Sequence, residues 1–464
     1  MYDLAVIGGG PGGYTAAIRG AQHGMKVLLV EKDALGGTCL NRGCIPTKSL
    51  VYDSKLLYAA RSSPVLQGAA ALTIDPVKML ARKRQVVANL VSGLQSIIKS
   101  HAIDIVQGIG HLTGPGQLNV QQAGNSVQKY AARHIILASG SKPAVPPFAQ
   151  IDGQFVQTTD EALDTENIPS RLAIIGGGVI GIEMASIYLN LGVAVTVLEL
   201  LPDILVTEDR DIRLLMRRLL KRRGAELFTR ARVKDLVVKE NRIDLVFEDE
   251  KGALQRLQSD RVLVATGRAP VLDGIAPQKL GLEMAGPYVK VNSRLQTSLP
   301  GVYAIGDVVG GMMLAHKAAA EAEAAVANIA GADKSVNPRQ IPRCIWGVVE
   351  IGAVGLTEEE ARSARRNIKT GTFHFTGSGA AQAMGHVDGF VKIIGDSENG
   401  EILGVHVIGE HATDLIGDAV TTMTMESAVE DLAAAVKPHP TLSEALMEAA
   451  MDWSRLAVHK PKSR

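Results

Sequence analysis

Two cysteines, Cys39 and Cys44, stand five positions apart in a chain that has only three cysteines. Thiols at this spacing can close a disulfide across a bent loop, and a disulfide that opens and closes carries two electrons. Pro46 suits the first turn of a helix, which would place Cys44 at a helix N-terminus, where a thiolate is stabilised. Zinc would need a second pair of ligands, and only the remote Cys344 remains. A redox-active pair and two inert buried thiols are therefore the alternatives.

A second candidate for chemistry lies near the C-terminus, where Glu444 follows His439 by five positions. An imidazole oriented by a carboxylate is a suitable general base, and oxidation of a dithiol needs one. The same stretch also fits a capping box, with Thr441 as N-cap and Glu444 reaching back to it, which needs no catalytic role. The chemistry of the dithiol favours the catalytic interpretation.

These groups need elements to position them, and the first is a glycine-rich turn near the N-terminus. An apolar strand over residues 4–7 runs into Gly8, Gly10 and Gly13, a helix is predicted over residues 14–20, and the strand over residues 26–30 ends on Glu31. Such glycines allow a tight turn and close approach to a pyrophosphate at the helix N-terminus, and the acid can bind the ribose. The pattern predicts a dinucleotide site, and its position just before Cys39 favours a redox-active disulfide facing a flavin.

The pattern occurs a second time. The strand over residues 172–175 runs into Gly176, Gly178 and Gly181, and the strand over residues 194–198 ends on Glu199, so that the acid follows the first glycine by 23 positions in both copies. A carboxylate at this place accepts from a free ribose 2′-hydroxyl and repels a 2′-phosphate, and residues 200–206 contain no arginine to hold such a phosphate. The second site is therefore predicted to prefer NAD over NADP.

Three further apolar strands end in short turns. They end at Ser139-Gly140, at Gly267 and at Asp307, the last ahead of an alanine-rich helix predicted over residues 314–330. Such ends can lie near a nucleotide or be plain surface turns, and both interpretations stay open.

These motifs together resemble the flavin-dependent disulfide reductases over nearly the whole chain. Further markers are Gly-Gly-Thr before Cys39, Ile-Pro-Thr-Lys48 after Cys44, Glu183, Ala-Thr-Gly-Arg268, Ala-Ile-Gly-Asp307, Met-Leu-Ala-His-Lys317, Val-Gly-Leu-Thr-Glu358 and the segment from His439 to Glu444. The chain departs from the family pattern at Val349 and at Ala380, where a proline and an arginine are common, and at Ser139.

The resemblance implies two cofactors and the residues that hold them. FAD would be bound in the first site by Gly8, Gly10, Gly13, Glu31, Gly37, Thr38, Lys48, Gly110, Ser139, Gly140, Asp307, Met313, Leu314, Ala315 and His316. NAD would be bound in the second site by Gly176, Gly178, Val179, Ile180, Gly181, Glu199, Val233 and Gly267. The catalytic residues would be Cys39, Cys44, His439, Glu444, Lys48 and Glu183. Lys48, paired with Glu183, would lie by flavin N5, where a cation favours the electron-rich reduced ring.

The resemblance also implies an activity and partners. It is strongest to the members that oxidise protein-bound dihydrolipoyl groups, with Cys39 as the interchange thiol and NAD+ as the acceptor. His439 would act on the dithiol of the other subunit of a homodimer. The lipoyl carrier would belong to a 2-oxo-acid dehydrogenase complex or to the glycine cleavage system. An NADPH-linked reductase of glutathione or a related disulfide, and a scaffold subunit of a lipoyl complex, are the alternatives.

The motif order predicts an α/β fold with two Rossmann-like dinucleotide-binding domains, for FAD and NAD, and a C-terminal α+β dimerisation domain. The predicted segments are a FAD-binding domain over residues 1–143, an NAD-binding domain over 144–265, a return to the FAD-binding domain over 266–336, and the interface domain over 337–464. At 464 residues, the chain is long enough for several domains.

Composition narrows the setting. Lys and Arg total 49 and Asp and Glu total 48, a balance that gives no reason to expect nucleic acid as a partner. No apolar run approaches the roughly 20 residues that span a bilayer, and the first strand leaves no room for a signal peptide. With three cysteines, a reducing, cytoplasmic setting is expected. The basic stretch over residues 210–223 fits an amphipathic surface helix with a solvated face, although weak contact with an acidic partner stays open.

Overall fold

The computed structural model describes residues 1–364 and 366–461. Up to residue 143, the helices and strands are β1 (Tyr2–Ile7), α1 (Pro11–Gln22), β2 (Val27–Glu31), α2 (Gly37–Arg42), α3 (Cys44–Ser62), α4 (Pro76–Ser100), β3 (Asp104–Gln107), β4 (Ile109–Gly114), β5 (Gln117–Gln121), β6 (Val127–Leu137) and β7 (Ser141–Pro143). Up to residue 265, they are β8 (Val156–Gln157), α5 (Thr159–Ala162), β9 (Arg171–Ile175), α6 (Val179–Asn190), β10 (Ala194–Leu198), α7 (Arg210–Arg222), β11 (Glu226–Phe228), β12 (Arg232–Lys239), β13 (Arg242–Glu248), β14 (Leu254–Ser259) and β15 (Arg261–Val264).

The remaining chain falls into two stretches. Up to residue 336, it contains β16 (Arg268–Pro270), α8 (Pro277–Leu280), β17 (Met284–Ala285), β18 (Tyr288–Val289), β19 (Val302–Ala304) and α9 (Ala315–Ile329). After that come β20 (Arg343–Trp346), β21 (Glu350–Gly355), α10 (Glu358–Ser363), β22 (Ile368–His374), α11 (Gly379–Met384), β23 (Phe390–Asp396), β24 (Ile402–Gly409), α12 (Ala412–Thr424), α13 (Val429–Ala434) and α14 (Glu444–Trp453).

Two parallel sheets share one strand order. In the first, β3-β2-β1-β6 are followed by β19 on the far side of β6, and in the second the order is β11-β10-β9-β15-β8. The central strands are almost wholly buried, as parallel strands covered on both faces must be. Each sheet also has a three-stranded antiparallel partner, β4-β5-β6 in one case and β12-β13-β14 in the other.

The pairing register brings the two predicted nucleotide turns to equivalent places. Ile7 pairs with Val30 at the end of β1, and Ile175 pairs with Leu198 at the end of β9. The glycines and the acid that follow these strands therefore lie together at the carboxyl edge of each sheet, where ligands of open α/β sheets bind.

The C-terminal stretch forms a different layer. Its antiparallel sheet has the order β20-β21-β24-β23-β22, and helices including α12 and α14 pack on it around a buried core. The predicted α/β fold with two dinucleotide-type sheets and a C-terminal α+β unit is confirmed. Helix α1 begins earlier than predicted, at Pro11, because proline suits the first helical position.

The basic helix α7 is an amphipathic surface helix, as predicted: Ile212, Met216, Leu219 and Leu220 are buried, whereas Arg210, Arg218, Lys221 and Arg222 are exposed. Three arginines of the helix, and Arg223 directly after it, also bind other parts of the chain. The partners are Asp203 for Arg213 and Arg217, Glu359 for Arg213, Asp388 for Arg222, and the ring of Tyr58 for Arg223. The apolar face of α7 packs into a core that includes Ile345 and Ile408 of the C-terminal sheet. These contacts, which the sequence did not predict, join the helix to its surroundings.

Among the helices of the described residues, none combines the length and the apolar character that a bilayer crossing demands.

Candidate active site

The first glycine turn leaves no room for a side chain at Gly8 or Gly13. Gly8 has a φ of 105°, and a Cβ on Gly13 would lie 1.8 Å from the Gly8 carbonyl oxygen. Glu31 closes the turn, because its Oε2 accepts from the Gly9 N–H at 2.6 Å and its Oε1 accepts from the Asp33 N–H at 2.7 Å. Burial raises the pKa of Glu31, although the Gly9 N–H opposes this effect.

The second turn repeats the first, bond for bond. Gly176 has a φ of 114°, and a Cβ on Gly181 would lie 2.0 Å from the Gly176 carbonyl oxygen. Glu199 accepts from the Gly177 N–H through Oε2 and from the Leu201 N–H, at 2.7 Å, through Oε1. The two acids therefore lie in matching positions, each with both oxygens held by backbone donors.

Both turns have the features that a dinucleotide pyrophosphate requires. Helices α1 and α6 have Gly10 and Gly178 as their N-caps, and no side chain caps either one. A Cβ built on Gly178 would have no atom of the described residues within 4 Å. Uncapped N–H groups at a glycine-lined helix start suit an anionic group that comes close to the backbone. The residues present thus fit the two predicted dinucleotides.

The other predicted nucleotide residues lie around these turns. A Cβ on Gly8 would meet the Ala138 carbonyl oxygen at 2.3 Å, and one on Gly176 would meet that of Ala265 at the same distance. Gly140 and Gly267 each come two positions after these alanines, so they occupy equivalent places in the two sites. Gly110 packs against Ile7. Val233 lies two residues after Ala231, whose N–H donates to the Glu199 carbonyl oxygen.

Two predicted side chains are occupied within the chain. The Ser139 hydroxyl donates to the Val271 carbonyl oxygen at 2.6 Å, and His316 Nε2 lies 2.7 Å from the Pro342 carbonyl oxygen. These hydrogen bonds join Ser139 to the segment at Val271 and helix α9 to the segment at Pro342.

A buried ion pair supports the turn that carries Asp307. Glu321 accepts from the Gly306 N–H at 2.7 Å and pairs with Lys317 at 2.9 Å, and Lys317 donates to the Gly310 carbonyl oxygen at 2.8 Å. Asp307 itself accepts from the Ser141 hydroxyl. Sequence reasoning missed Glu321; its only local signal is its i+4 spacing from Lys317 on α9.

The cysteine segment lies directly on the first glycine turn. The Gly36 N–H donates to the Gly9 carbonyl oxygen at 2.8 Å, and a Cβ on Gly37, whose φ is 56°, would meet the Gly10 α-carbon at 2.7 Å. Cys39 lies in the short helix α2 rather than in a loop, and Cys44 is the first residue of α3, as Pro46 predicts.

The two cysteines, free thiols in the structure, differ in acidity. A hydrogen bond from the Cys39 thiol lowers the pKa of Cys44 to about 7, an effect to which Lys48 adds and which burial opposes. The same hydrogen bond, together with burial, raises the pKa of Cys39. Cys44 is thus the member of the pair that ionises more readily.

Lys48 is joined to two other parts of the chain. Its Nζ lies 2.9 Å from both carboxylate oxygens of Glu183 on α6, whose side chain is only 6% exposed, and 4.4 Å from the ring centroid of Trp346. The Trp346 N–H donates to the same carboxylate at 3.0 Å. The predicted pair therefore forms, and Trp346 is a neighbour that sequence reasoning missed.

His439 and Glu444 also form the predicted pair. His439 Nδ1 lies 2.9 Å from Glu444 Oε1, while Glu444 Oε2 accepts from the Thr441 N–H at 2.9 Å. Burial opposes ionisation of Glu444, but the Thr441 N–H and His439 hold its pKa below the usual range. Thr441 is not the helix N-cap as predicted, because α14 begins at Glu444 with Ser443 before it. The imidazole is 77% exposed, and among the described residues no hydrogen bond joins it to either cysteine.

Comparison with known families decides the assignment. Residues 2–322 match the family model described as pyridine nucleotide-disulphide oxidoreductase, and residues 341–450 match the dimerisation domain of that family. The chain belongs to the pyridine nucleotide-disulphide oxidoreductase family. The predictions of the family and of FAD and NAD as its cofactors are confirmed at this level, and the dimerisation domain supports a homodimer.

Individual members of the pyridine nucleotide-disulphide oxidoreductase family are similar over the whole chain. A dihydrolipoyl dehydrogenase of Bacillus subtilis is 39% identical, with 99% of each chain covered, and one of Thermus scotoductus is 39% identical, with 99% of this chain and 98% of the relative covered. The crystal structure of LpdA from Mycobacterium tuberculosis is similar with a TM-score of 0.90 at 26% identity, covering 96% of this chain and 98% of that one. The HOCl-induced flavoprotein disulfide reductase RclA from Escherichia coli is similar with a TM-score of 0.85 at 27% identity, covering 97% and 99%.

Proposed function

We propose that this oxidoreductase is an NAD-linked dihydrolipoyl dehydrogenase that oxidises protein-bound dihydrolipoyl groups through Cys39 and Cys44. The observation that carries the proposal is the dithiol itself, which is packed on the first glycine turn with the pKa of Cys44 lowered to about 7. The full-length relatives named dihydrolipoyl dehydrogenase support the choice of substrate.

The reaction begins at the base. With Nδ1 held by Glu444, His439 takes a proton at Nε2 from one substrate thiol. The substrate thiolate attacks the Cys39 sulfur of the oxidised pair, so that a mixed disulfide forms and Cys44 leaves as a thiolate. The second substrate sulfur then attacks the substrate sulfur of the mixed disulfide and gives up its proton to the leaving Cys39 sulfur, which releases the oxidised lipoyl group and returns Cys39 as a thiol. Two electrons remain on the cysteine pair.

The other residues of the site hold charge and position. FAD, when bound, supplies the two-electron chemistry that joins the dithiol to the nicotinamide. Gly8, Gly10, Gly13 and Glu31 would hold its pyrophosphate and ribose, with Asp307 on the neighbouring turn. Lys48, restrained by Glu183, keeps a positive charge beside the Cys44 thiolate.

Glu199 supports NAD rather than NADP as the second nucleotide. Its two oxygens are fixed by the Gly177 and Leu201 N–H groups, and this carboxylate would bind the ribose of a nucleotide held at the turn. A 2′-hydroxyl can donate to that carboxylate, whereas a 2′-phosphate would be repelled.

The proposed assembly is a homodimer in which His439 of one protomer serves the dithiol of the other. Two observations support this arrangement: the His439 side chain is highly exposed, and its hydrogen bond is to Glu444 rather than to Cys39 of the same protomer. The proposed segments are residues 1–143 and 266–336 for FAD, 144–265 for NAD and 337–464 for the interface. The pairing of β19 with β6 supports the return to the first sheet.

The proposed partner is a lipoyl carrier of a 2-oxo-acid dehydrogenase complex or of the glycine cleavage system, in the cytoplasm. A reductase of another disulfide is the second candidate, since the similar RclA is named a disulfide reductase.

The test is an anaerobic visible spectrum of the purified holoenzyme, recorded after addition of dihydrolipoamide and again after addition of NAD+. We expect a long-wavelength band from a thiolate beside oxidised flavin, which clears as NADH forms. A flavin that ignores dihydrolipoamide but responds to NADPH would overturn the assignment in favour of another disulfide.

A further inference from the structure

The helix that begins at Cys44 carries a second lysine on the face of Lys48. Lys48 is four positions after Cys44 and Lys55 is eleven positions after it, which correspond to about one and three helical turns. Residues at these spacings share one side of a helix. Lys55 has no part in the chemistry described above.

Lys55 binds two carboxylates of the C-terminal sheet. Its Nζ lies 3.2 Å from Glu350 Oε1 and 3.3 Å from Glu410 Oε1. The three side chains are 27%, 10% and 15% exposed, so the interaction is largely shielded from water. Glu350 pairs in register with Gly409, the residue before Glu410, which brings the two acids to the same end of β21 and β24.

Each acid is also held by a partner of its own. Glu350 Oε2 accepts from the Thr413 hydroxyl at 2.8 Å, and Glu410 Oε2 lies 3.0 Å from Nδ1 of His386. The acids are therefore fixed to the C-terminal domain without Lys55, and the lysine is the group that joins helix α3 to them.

The hairpin formed by β20 and β21 meets the helix at two points. Trp346 pairs in register with Glu350. Trp346 contacts Lys48 and Glu350 contacts Lys55, so one hairpin end is held by two lysines of α3. A displacement of the helix relative to the hairpin would alter both contacts, and with them the position of Lys48 beside Cys44.

We propose that Lys55 is a positioning residue for the dithiol: it holds helix α3 on Glu350 and Glu410, so that Cys44 and Lys48 keep their places. The inference rests on the proposed function only for the catalytic meaning of the dithiol. The departure from the family pattern at Val349 lies beside Glu350 in this contact.

A direct electrostatic effect of Lys55 on Cys44 is small. Eleven helical residues span about 16 Å, which exceeds the Debye length of about 8 Å at physiological ionic strength. A change in the acidity of Cys44 on loss of Lys55 therefore reports the position of the helix rather than the lost charge.

The test uses the Cys39→Ser holoenzyme, in which Cys44 remains a thiol without a disulfide partner. The long-wavelength band of its thiolate beside flavin is titrated against pH. We expect Lys55→Met to raise the midpoint by at least half a pH unit, which is at least threefold less thiolate at low pH. Lys55→Arg should restore the midpoint, and Lys99→Met, which removes an exposed lysine at the end of α4, should leave it unchanged.

An unchanged midpoint in folded Lys55→Met protein overturns the inference. If that variant does not fold, Glu350→Gln and Glu410→Gln make the same test from the other side of the contact. A raised midpoint in either supports the inference, and an unchanged midpoint in both overturns it. The titration needs no lipoyl substrate, so its result remains valid if the substrate assignment fails. If the Cys39→Ser holoenzyme with Lys55 in place shows no such band at any pH, the proposed function itself is contradicted.

Discussion

His439 and Glu444 are joined through a single carboxylate oxygen, Oε1, while the other oxygen of Glu444 holds the backbone of Thr441. The carboxylate thus fixes both the ring and the segment that carries it. This arrangement leaves Nε2 as the ring nitrogen that can receive a proton, provided that Nδ1 carries its hydrogen toward Glu444.

We expect His439→Gln to slow flavin reduction by dihydrolipoamide by about 10² to 10⁴-fold, the usual contribution of a general base. Glu444→Gln should have a smaller effect in the same direction, because the ring keeps an acceptor but loses the negative charge. Rapid-mixing absorbance measures both rates. Reduction of the flavin by NADH serves as the control and should change little; equal losses in both directions would mean that the pair acts through the fold.

The acidity of Cys44 gives a second prediction. Since its pKa is lowered to about 7, the thiolate should be present above that pH and lost as the pH falls through it. Cys39→Ala removes the hydrogen-bond donor, whereas Cys39→Ser keeps one. The thiolate–flavin band should therefore titrate about one unit higher in the alanine variant than in the serine variant, a tenfold difference in thiolate at acidic pH. Coincident titrations would show that the Cys39 hydrogen bond does not set the acidity of Cys44.

The equivalence of Glu31 and Glu199 predicts matched defects in two different ligands. Glu199→Gln should weaken NADH binding by roughly tenfold, because an amide group replaces one of two acceptors for backbone N–H groups and the charge toward the ribose is lost. Glu31→Gln should instead reduce the FAD content. Fluorescence titration with NADH and the ratio of flavin to protein absorbance measure the two effects. If Glu199→Gln instead lowers the FAD content and Glu31→Gln weakens NADH binding, the assignment of FAD to the first site and NAD to the second is wrong.

Two glycines of the second turn separate ligand binding from folding. A Cβ at Gly178 meets no protein atom, whereas one at Gly181 would lie 2.0 Å from the Gly176 carbonyl oxygen. Gly178→Ala should therefore keep the melting temperature and lose NADH affinity, since the methyl group occupies the approach of the pyrophosphate. Gly181→Ala should lower the melting temperature. Calorimetry with NADH titration distinguishes the two, and full NADH affinity in Gly178→Ala would contradict the proposed nucleotide turn.

A buried lysine of β23, which binds acids at the starts of α7 and α10, gives a stability prediction. Lys392 is 4% exposed, and its Nζ lies 3.0 Å from Asp209 and 2.7 Å from each of Asp211 and Glu358. Although burial opposes the charge, these acids raise the pKa of Lys392. Lys392→Met leaves the fully buried Asp209 carboxylate without its cation and should destabilise the fold by about 3–5 kcal/mol.

Denaturant unfolding measures that loss. The control is Lys290→Met, which removes an exposed pair with Glu283 and should leave the unfolding midpoint unchanged. Equal effects of the two substitutions would show that burial does not govern the contribution of these pairs.

Local patterns were sufficient for much of this site. The glycine spacing predicted both turns, and the acids at the strand ends identified Glu31 and Glu199 as candidate ribose ligands. Pro46 predicted that a helix begins at Cys44. Each of these features is encoded within about thirty residues of chain, where strand period, turn residues and helix caps act directly.

The supporting contacts could not be predicted in the same way. Glu350 and Glu410 are 295 and 355 positions from Lys55, and Trp346 is 163 positions from Glu183. Such pairs form only when distant parts of the chain pack together, and the sequence around a lysine on a helix does not show which acid will bind it. The basic helix α7 shows the same limit, because its acidic partners come from other elements.

The hydrogen bond from Gly36 to Gly9 has a consequence for protein engineering. The segment that carries the two cysteines is supported by the backbone of the nucleotide turn as well as by helix α3, because Gly37 packs closely against Gly10. A graft of the cysteine motif onto another protein would therefore need the strand and glycine turn that it packs on as well, because the two cysteines alone would lack the backbone that orients them.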